Sequence, residues 1–254
     1  MAMMNNYHHS KMDGSWVYAN ITGPSPVPGH NTISTSTQHV RTFFDLSGQA
    51  LSGAGAGDII HFSRYTGKVV LVTNVASACY LTTREFTQLN NLMHLYGLHG
   101  LVILAFSCNQ FGHSEPFEND EIVKCLRYVR PGPPFQALIL LSLNVLDIDD
   151  DMNDVNVVRL QPSFQLFVKC DVNGSRTHRV FDFLKDRLPY PSDDTTMLVA
   201  ESSEITWNPV KRNDITYNFE KFLIGRDGQP YRRYSYKTPP SRLHQDIKRL
   251  LGIE

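Results

Sequence analysis

Residues 67–79 of this 254-residue chain read Gly-Lys-Val-Val-Leu-Val-Thr-Asn-Val-Ala-Ser-Ala-Cys. Their central part, Val69–Val75, is almost continuously apolar and β-branched, which predicts a strand buried on both faces of a sheet. A turn follows that carries Cys79, and a helix is predicted to begin shortly after it. Backbone N–H groups and the positive end of the helix dipole favour a thiolate at such a position. Cys79 is therefore a candidate nucleophile.

The helix is predicted over about residues 82–96. Thr82-Thr83-Arg84-Glu85 has the spacing of a capping box, with Thr82 and Glu85 as its two members. Apolar residues then recur at helical intervals, at Phe86, Leu89, Met93 and Tyr96. A second apolar strand is predicted over Leu101–Phe106. Strand, helix and strand in this order indicate a βαβ unit and an α/β fold.

Further elements are predicted along the rest of the chain. Helices are predicted over about 118–128, 177–188 and 242–251, and strands over 164–168, 219–224 and 231–235. Asp227-Gly228 between the last two strands is a strong hairpin signal. Ser52–Gly57 is interpreted as a turn between two short strands. It is not a phosphate-binding loop, because the only Gly-Lys pair, Gly67-Lys68, precedes a valine.

The composition predicts a soluble globular protein without a charge excess. The formal net charge is -1 and 41% of the residues are hydrophobic. A nucleic-acid binder needs a basic excess, and no apolar run reaches membrane-spanning length, so neither partner is predicted. The four cysteines, at 79, 108, 125 and 170, contain no Cys-x-x-Cys pair. We therefore predict no metal site and expect a reducing compartment.

The first 40 residues differ from the rest of the chain. They are rich in Ser, Thr, Asn, Pro and Gly, which is typical of a disordered extension or a targeting segment. They lack the apolar core of a secretory signal. We predict a cytoplasmic protein, with a mitochondrial location as the alternative, and place the globular domain at 41–254.

Three blocks of the sequence resemble the signature blocks of the glutathione peroxidases. Residues 74–79 read Asn-Val-Ala-Ser-Ala-Cys, residues 104–113 read Leu-Ala-Phe-Ser-Cys-Asn-Gln-Phe-Gly-His, and residues 217–222 read Tyr-Asn-Phe-Glu-Lys-Phe. The resemblance implies a thioredoxin-like fold, in which helices flank a central mixed β-sheet. It also implies reduction of hydrogen peroxide and small organic hydroperoxides, as part of the response to oxidative stress.

The resemblance implies a peroxidatic residue at Cys79, which forms a sulfenic acid and then a mixed disulfide with glutathione. Glutathione is the reducing co-substrate, and no metal or organic cofactor is expected. The Gln, Trp and Asn that support the reactive residue in the family match Ser114, Tyr217 and Asn218, so only Asn218 is retained. Tyr80 stands where the family commonly has glycine.

Arginines are implied as the ligands of the glutathione carboxylates, a task that suits the paired donors of a guanidinium. The matching residues are Arg84, Arg130, Arg232 and Arg233.

Two insertions interrupt the resemblance. Tyr190–Thr216 is similar to a loop of the tetrameric branch of the family, which implies a homotetramer. The other, about 137–161, has no recognised counterpart and is interpreted as a lineage-specific surface loop or a retained intron. Its aspartates do not form an EF-hand loop, because Met152 and Val158 stand where glycine and glutamate are needed.

Two alternative functions stay open at this point. The first is a thioredoxin-dependent peroxidase with Cys125 as resolving cysteine; Cys125 lies two residues short of the usual position, about 200° away around the helix, which favours a structural role. Cys108 and Cys170 are also interpreted as packing residues. The second is a catalytically weak thiol-based peroxide sensor, which the departures at Tyr80, Ser114 and Tyr217 suggest.

Overall fold

The computed structural model describes residues 40–51, 57–129, 131–132, 158–159, 163–194 and 205–253. The predicted N-terminal extension, most of the insertion at 137–161 with its aspartates, and Arg130 lie outside the described residues.

The described part of the chain contains both strands and α-helices. The strands are β1 (Ser47–Gln49), β2 (Ile59–His61), β3 (Val69–Val75), β4 (Leu101–Ser107), β5 (Pro131–Gly132), β6 (Val158–Arg159), β7 (Gln165–Phe167), β8 (Lys221–Ile224) and β9 (Pro230–Tyr234). The α-helices are α1 (Thr82–Tyr96), α2 (Asn119–Lys124), α3 (Arg179–Arg187) and α4 (His244–Leu251).

Five strands form the central sheet in the order β7-β4-β3-β8-β9. β3 is parallel to β4, which is parallel to β7, whereas β8 runs antiparallel to both β3 and β9. The predicted mixed sheet is thus confirmed. Two antiparallel pairs, β1-β2 and β5-β6, lie outside it.

Strand β3 is the centre of the sheet, and all seven of its residues are buried. Side chains alternate along a strand, so Val69 and Leu71 enter the hydrophobic core that α1 and α4 cover, whereas Val70 and Val72 enter the core that α3 covers. A strand between two cores needs apolar residues at consecutive positions. This explains the continuous apolar run and confirms its interpretation.

Helix α1 has the predicted bounds but not the predicted cap. Its N-cap residue is Leu81, and no side chain caps the first turn. The Thr82 hydroxyl instead donates to the carbonyl of Ala76 at 2.7 Å, and the Glu85 carboxylate forms an ion pair with Lys221. The capping-box prediction was therefore wrong, because tertiary partners bind both side chains.

Other boundaries also differ from the predictions. The helix expected over 118–128 is a short α-helix, α2, followed by a π-helical segment at Cys125–Val129. The last helix begins at His244, after a 3-10 turn at Pro240–Arg242. The β8-β9 hairpin is confirmed. At its turn Gly228 has φ 77°, and a Cβ there would lie 2.7 Å from the Phe44 ring, so only glycine fits.

None of the helices in the described ranges has the length and apolar character of a membrane-spanning segment.

Candidate active site

Three loops meet at one edge of the central sheet. One follows β3 and contains Cys79, and a second follows β4. Because β3 and β4 are parallel, both loops lie at the same edge, and the antiparallel β8 begins there as well. The segment that precedes β8, residues 216–220, is the third. The fold thus brings the three blocks singled out in the sequence into one place.

Asn74, near the end of β3, fixes the segment before β8. Its side-chain Nδ2 donates to the carbonyl of Tyr217 at 3.0 Å, and its Oδ1 accepts from the backbone N–H of Glu220 at 3.0 Å. Its own carbonyl accepts from the N–H of Phe219 at 2.7 Å. Since Asn74 is fully buried, these three hydrogen bonds fix the position of Tyr217 and Asn218 relative to the end of β3, from which the Cys79 loop begins.

Glu115 fixes the Cys79 loop to the loop after β4. Its carboxylate accepts from the Ser77 N–H at 2.7 Å and from the Ser77 hydroxyl at 2.5 Å. Burial raises the pKa of Glu115, and the two bonds from Ser77 oppose that rise. Next to this contact the N–H of Ala78 donates to the carbonyl of Ser114 at 2.9 Å.

Cys79 lies where the sequence predicted it, at the N-terminal end of α1. Its carbonyl accepts from the N–H of Thr82, the first residue of the helix, at 3.1 Å. The residue is only 2% exposed and belongs to the apolar core beside Leu81 and Phe86. A thiolate there is close to the positive end of a helix of 15 residues.

The three predicted donors differ in their surroundings. Asn218 is fully buried, and its Nδ2 donates to the carbonyl of Phe111 at 3.4 Å, while its Oδ1 accepts no hydrogen bond from the described residues. Ser114 is half-exposed and adjoins the Cys79 loop through the backbone bond to Ala78. Tyr217 is half-buried, with its ring centroid 6.3 Å from that of Phe111.

Arg84 extends from the first turn of α1. Its guanidinium contacts Glu85 Oε1 through Nε at 3.1 Å and through Nη2 at 2.6 Å, and its side chain is 44% exposed. The other oxygen of Glu85 lies 2.8 Å from Lys221 Nζ, and both of these side chains are fully buried. Lys221 and Glu85 thus hold Arg84 from beneath while its outer face stays accessible.

The adjacent arginines of β9 have opposite environments. Arg232 is 40% exposed and pairs with Asp246 at 2.7 Å, in a cleft of about 540 Å³ between β9 and α4. Arg233 is 1% exposed; it pairs with Glu220 at 2.7 Å and donates to four backbone carbonyls, those of Leu188, Pro189, Asn213 and Asp214. Arg233 is therefore an interior structural residue. A buried guanidinium with these partners is not available to a substrate carboxylate.

The other three cysteines are free thiols with little exposure. Cys108 is fully buried, and burial raises its pKa to about 12. Burial also raises the pKa of Cys170. Cys125 is 5% exposed at the C-terminal end of α2. Among the described residues, no cluster of three or more His, Cys, Asp or Glu side chains is arranged to hold a metal ion.

Several residues of the site were not identified from the sequence. Glu85 was assigned to a cap, and Ser77, Glu115 and Lys221 received no role. A lysine inside an apolar strand pattern, in Glu-Lys-Phe-Leu-Ile, signals a buried charge that needs a partner, but it does not identify that partner. The pairing depends on the register between β3 and β8.

Comparisons with known proteins show which family the chain is similar to. Residues 44–147 match the family model described as "Glutathione peroxidase". The chain is 44% identical to glutathione peroxidase 1 of Bos taurus over 212 residues, which covers 84% of this chain and 90% of that protein. It is 43% identical to glutathione peroxidase 2 of Homo sapiens over 213 residues, which covers 84% and 96% of the two chains.

Solved structures agree on the fold. The crystal structure of T. cruzi GPX1 matches 84% of this chain and 97% of that chain, with a TM-score of 0.51 and 23% identity. The apo form of Trgpx gives a TM-score of 0.52 at 24% identity, with the same two coverages. The predicted thioredoxin-like fold is confirmed.

Proposed function

Because the chain belongs to the glutathione peroxidase family, we propose that it reduces hydrogen peroxide and small organic hydroperoxides with glutathione, through a peroxidatic cysteine at Cys79. The observation that carries this proposal is the convergence of the three signature blocks on the Cys79 loop. Asn74 and Glu115 hold that convergence with buried hydrogen bonds.

The chemistry needs only thiols and a peroxide. The Cys79 thiolate attacks one peroxide oxygen, so that an S–O bond forms, the O–O bond breaks, and water or an alcohol leaves after taking up a proton. A glutathione thiolate then displaces hydroxide from the sulfenic acid and forms a mixed disulfide. A second glutathione releases oxidised glutathione and restores the Cys79 thiolate. We propose no resident metal or organic cofactor.

Asn218 is the donor that we assign to this chemistry with most support, because its buried side chain lies in the segment that Asn74 fixes. Its amide can interact with the attacked peroxide or with the sulfur. Ser114 and Tyr217 are assigned supporting roles at the same edge, where each carries a hydroxyl donor in place of the family's Gln and Trp.

Arg84 is the proposed principal ligand of a glutathione carboxylate. Its Glu85 contact leaves the outer side of the guanidinium accessible, and the residue follows Cys79 by five positions. Arg130 and Arg232 are proposed as further ligands. Arg233 is left out because it is buried.

The thioredoxin-dependent alternative has less support. A resolving cysteine must reach the sulfenic acid and then be reduced by a partner protein, and Cys125 is 5% exposed. The sensor alternative is favoured by one observation, the 2% exposure of Cys79, since restricted access slows turnover more than a single oxidation event.

We also propose that the protein is a homotetramer in the cytoplasm. The tetramer is proposed because the segment 190–216 is similar to a loop of the tetrameric branch of the family. Within that segment Thr206 and Trp207 pack on the loop after β4 of the same chain: the Trp207 ring lies 5.5 Å from that of Phe111, and the Thr206 hydroxyl donates to the carbonyl of Gln110 at 3.2 Å. Sedimentation equilibrium tests the tetramer, and cell fractionation tests the cytoplasmic location against the mitochondrial alternative.

The activity is tested by steady-state hydrogen peroxide reduction with glutathione, and separately with thioredoxin and its reductase. We expect glutathione-dependent turnover that Cys79→Ser abolishes and Cys125→Ser leaves unchanged. Absence of turnover with either thiol, in a protein whose Cys79 is nevertheless oxidised by peroxide, would favour the sensor. Turnover with thioredoxin that requires Cys125 would favour the first alternative.

A further inference from the structure

Three tyrosines form a continuous aromatic surface beside Cys79. Tyr80 follows Cys79 directly and is 72% exposed. Its ring centroid lies 6.2 Å from that of Tyr217, which lies 5.0 Å from that of Tyr236. The interplanar angles are 43° and 54°, so the rings pack tilted against each other. We call Tyr80, Tyr217 and Tyr236 the tyrosine wall.

Packing places the tyrosine wall next to the hydrophobic core that contains Cys79. The pKa of Tyr80 is raised, first by its partial burial and then by the nearby Tyr236 and Cys79, while Arg84 opposes the rise. Tyr217 and Tyr236 are half-buried against that core, and Tyr80 follows Cys79 directly in the chain. Adjacent apolar side chains that form one exposed patch, unlike single exposed residues, can mark a ligand-binding surface.

We propose that the tyrosine wall binds the organic substituent of a hydroperoxide substrate, so that the site reacts faster with aromatic or long-chain apolar hydroperoxides than with hydrogen peroxide. The inference rests on the proposed function, since it requires that Cys79 be the residue that attacks the peroxide. It adds which substrates are preferred and which side chains select them.

The direction of attack places the substituent on the wall. The thiolate forms the S–O bond in line with the O–O bond that breaks, and the alkoxide takes up a proton and leaves as an alcohol. Cys79 is 2% exposed and Tyr80, which follows it in the chain, is 72% exposed, so we place the leaving group on the side where the Tyr80 ring reaches solvent. Hydrogen peroxide has no substituent and gains nothing from these rings.

The expected size of the effect follows from apolar burial. A phenyl-sized substituent that covers roughly 55 Å² of ring surface, at about 25 cal/mol per Å², changes the rate about tenfold. Packing between aromatic rings adds to this value when the substituent is itself aromatic. A long alkyl substituent gains from the burial alone.

The test measures single-turnover oxidation of Cys79 in the full-length reduced protein. Cumene hydroperoxide or hydrogen peroxide is added, the remaining thiol is alkylated at timed intervals, and the Cys79 peptide is quantified by mass spectrometry. We expect the ratio of the two second-order rate constants, cumene hydroperoxide over hydrogen peroxide, to fall about tenfold in Tyr80→Ala. Tyr80→Phe should keep the ratio, because it keeps the ring.

Leu98→Ala is the matched control, since Leu98 is fully exposed just beyond the opposite end of α1 and should not affect the ratio. A ratio that stays the same or rises in Tyr80→Ala would overturn the wall as a binding surface, and a rise would show that Tyr80 only restricts access. A ratio that falls in Tyr80→Phe would assign the effect to the hydroxyl and overturn the inference. If wild-type Cys79 reacts with neither hydroperoxide, the proposed function fails and this inference fails with it; an unchanged ratio in a reactive protein overturns this inference alone.

Discussion

The buried ion pair beneath Arg84 gives a prediction whose size can be worked from the structure. Lys221 Nζ lies 2.8 Å from Glu85 Oε2 and donates to the carbonyl of Thr238 at 2.8 Å, and neither charged side chain is exposed. Two unit charges at that distance attract by about 6 kcal/mol at an effective dielectric constant of about 20. Desolvation offsets part of this attraction, and it also lowers the pKa of Lys221 while Glu85 opposes that shift.

The perturbation is Lys221→Met, which removes the charge and keeps most of the side-chain volume. It leaves the Glu85 carboxylate buried, with Arg84 as its remaining cationic partner among the described residues. Breaking a buried pair typically costs about 3 to 5 kcal/mol. We expect Lys221→Met to lower the free energy of unfolding by about 3 kcal/mol, the lower end of that range. The loss is limited because Arg84 keeps its contact with the other oxygen of Glu85.

The assay is urea unfolding followed by circular dichroism, at one fixed protein concentration because association would add to the measured stability. Lys237→Met is the matched control: Lys237 Nζ lies at the same 2.8 Å from Asp194, but its side chain is 58% exposed. Lys237→Met should lower the free energy of unfolding by less than about 1 kcal/mol, because the ion pair that it removes is exposed. The double variant Glu85→Met/Lys221→Met should have a free energy of unfolding at least about 2 kcal/mol higher than that of Lys221→Met, since it also removes the buried Glu85 carboxylate.

Two results would refute this reasoning. One is a loss in Lys221→Met no larger than the loss in Lys237→Met, which would show that burial does not strengthen the pair. The other is a double variant that is no more stable than Lys221→Met, which would show that the cost comes from lost packing and not from an unpaired carboxylate.

Three further predictions concern the site. The raised pKa of Glu115 means that the folded protein holds this proton more tightly than the unfolded chain does. The stabilisation from this proton is complete below the ordinary pKa of 4.5 and is lost as the pH rises through the raised pKa. The unfolding free energy of wild type, relative to that of Glu115→Gln, should therefore fall over that pH range, and a pH-independent difference would contradict the prediction. Iodoacetamide at pH 7.5 should label Cys79 well before Cys108, because the pKa of the buried Cys108 thiol is about 12. Mass spectrometry of the two cysteine peptides measures the labelling. Equal labelling would contradict the difference in environment between Cys79 and Cys108. Arg84→Lys should raise KM for glutathione roughly threefold to tenfold, because an ammonium cannot make paired contacts with a carboxylate. The same variant should leave single-turnover oxidation of Cys79 by peroxide unaffected. An unchanged KM would remove Arg84 from the proposed glutathione site.

Local signals in the sequence were sufficient for the elements that carry Cys79. The almost continuous apolar run at Val69–Val75 indicated a strand between two cores, and helical periodicity over 82–96 gave α1 its bounds. Asp227-Gly228 identified the β8-β9 turn, because the backbone at Gly228 needs positive φ. The motif blocks also predicted that Cys79, Tyr217 and Asn218 belong to one site.

The partners of the charged side chains were decided by tertiary structure alone. Arg232 and Arg233 are adjacent in the sequence and look equally suited to bind a carboxylate, yet alternation along β9 leaves Arg232 accessible and buries Arg233. Glu85 fits a capping box by spacing, but a lysine 136 positions later in the chain binds it instead. The tyrosine wall has the same origin, since Tyr80, Tyr217 and Tyr236 come from three separate segments.

The sequence by itself therefore determined the strand, the helix and the position of Cys79 between them, because each depends on residues that are close together in the chain. Which charges are buried, which arginine stays accessible and which tyrosine rings pack together depend on strand register and loop contacts. These are properties of residues that are distant in the chain, and only the folded structure brings them together.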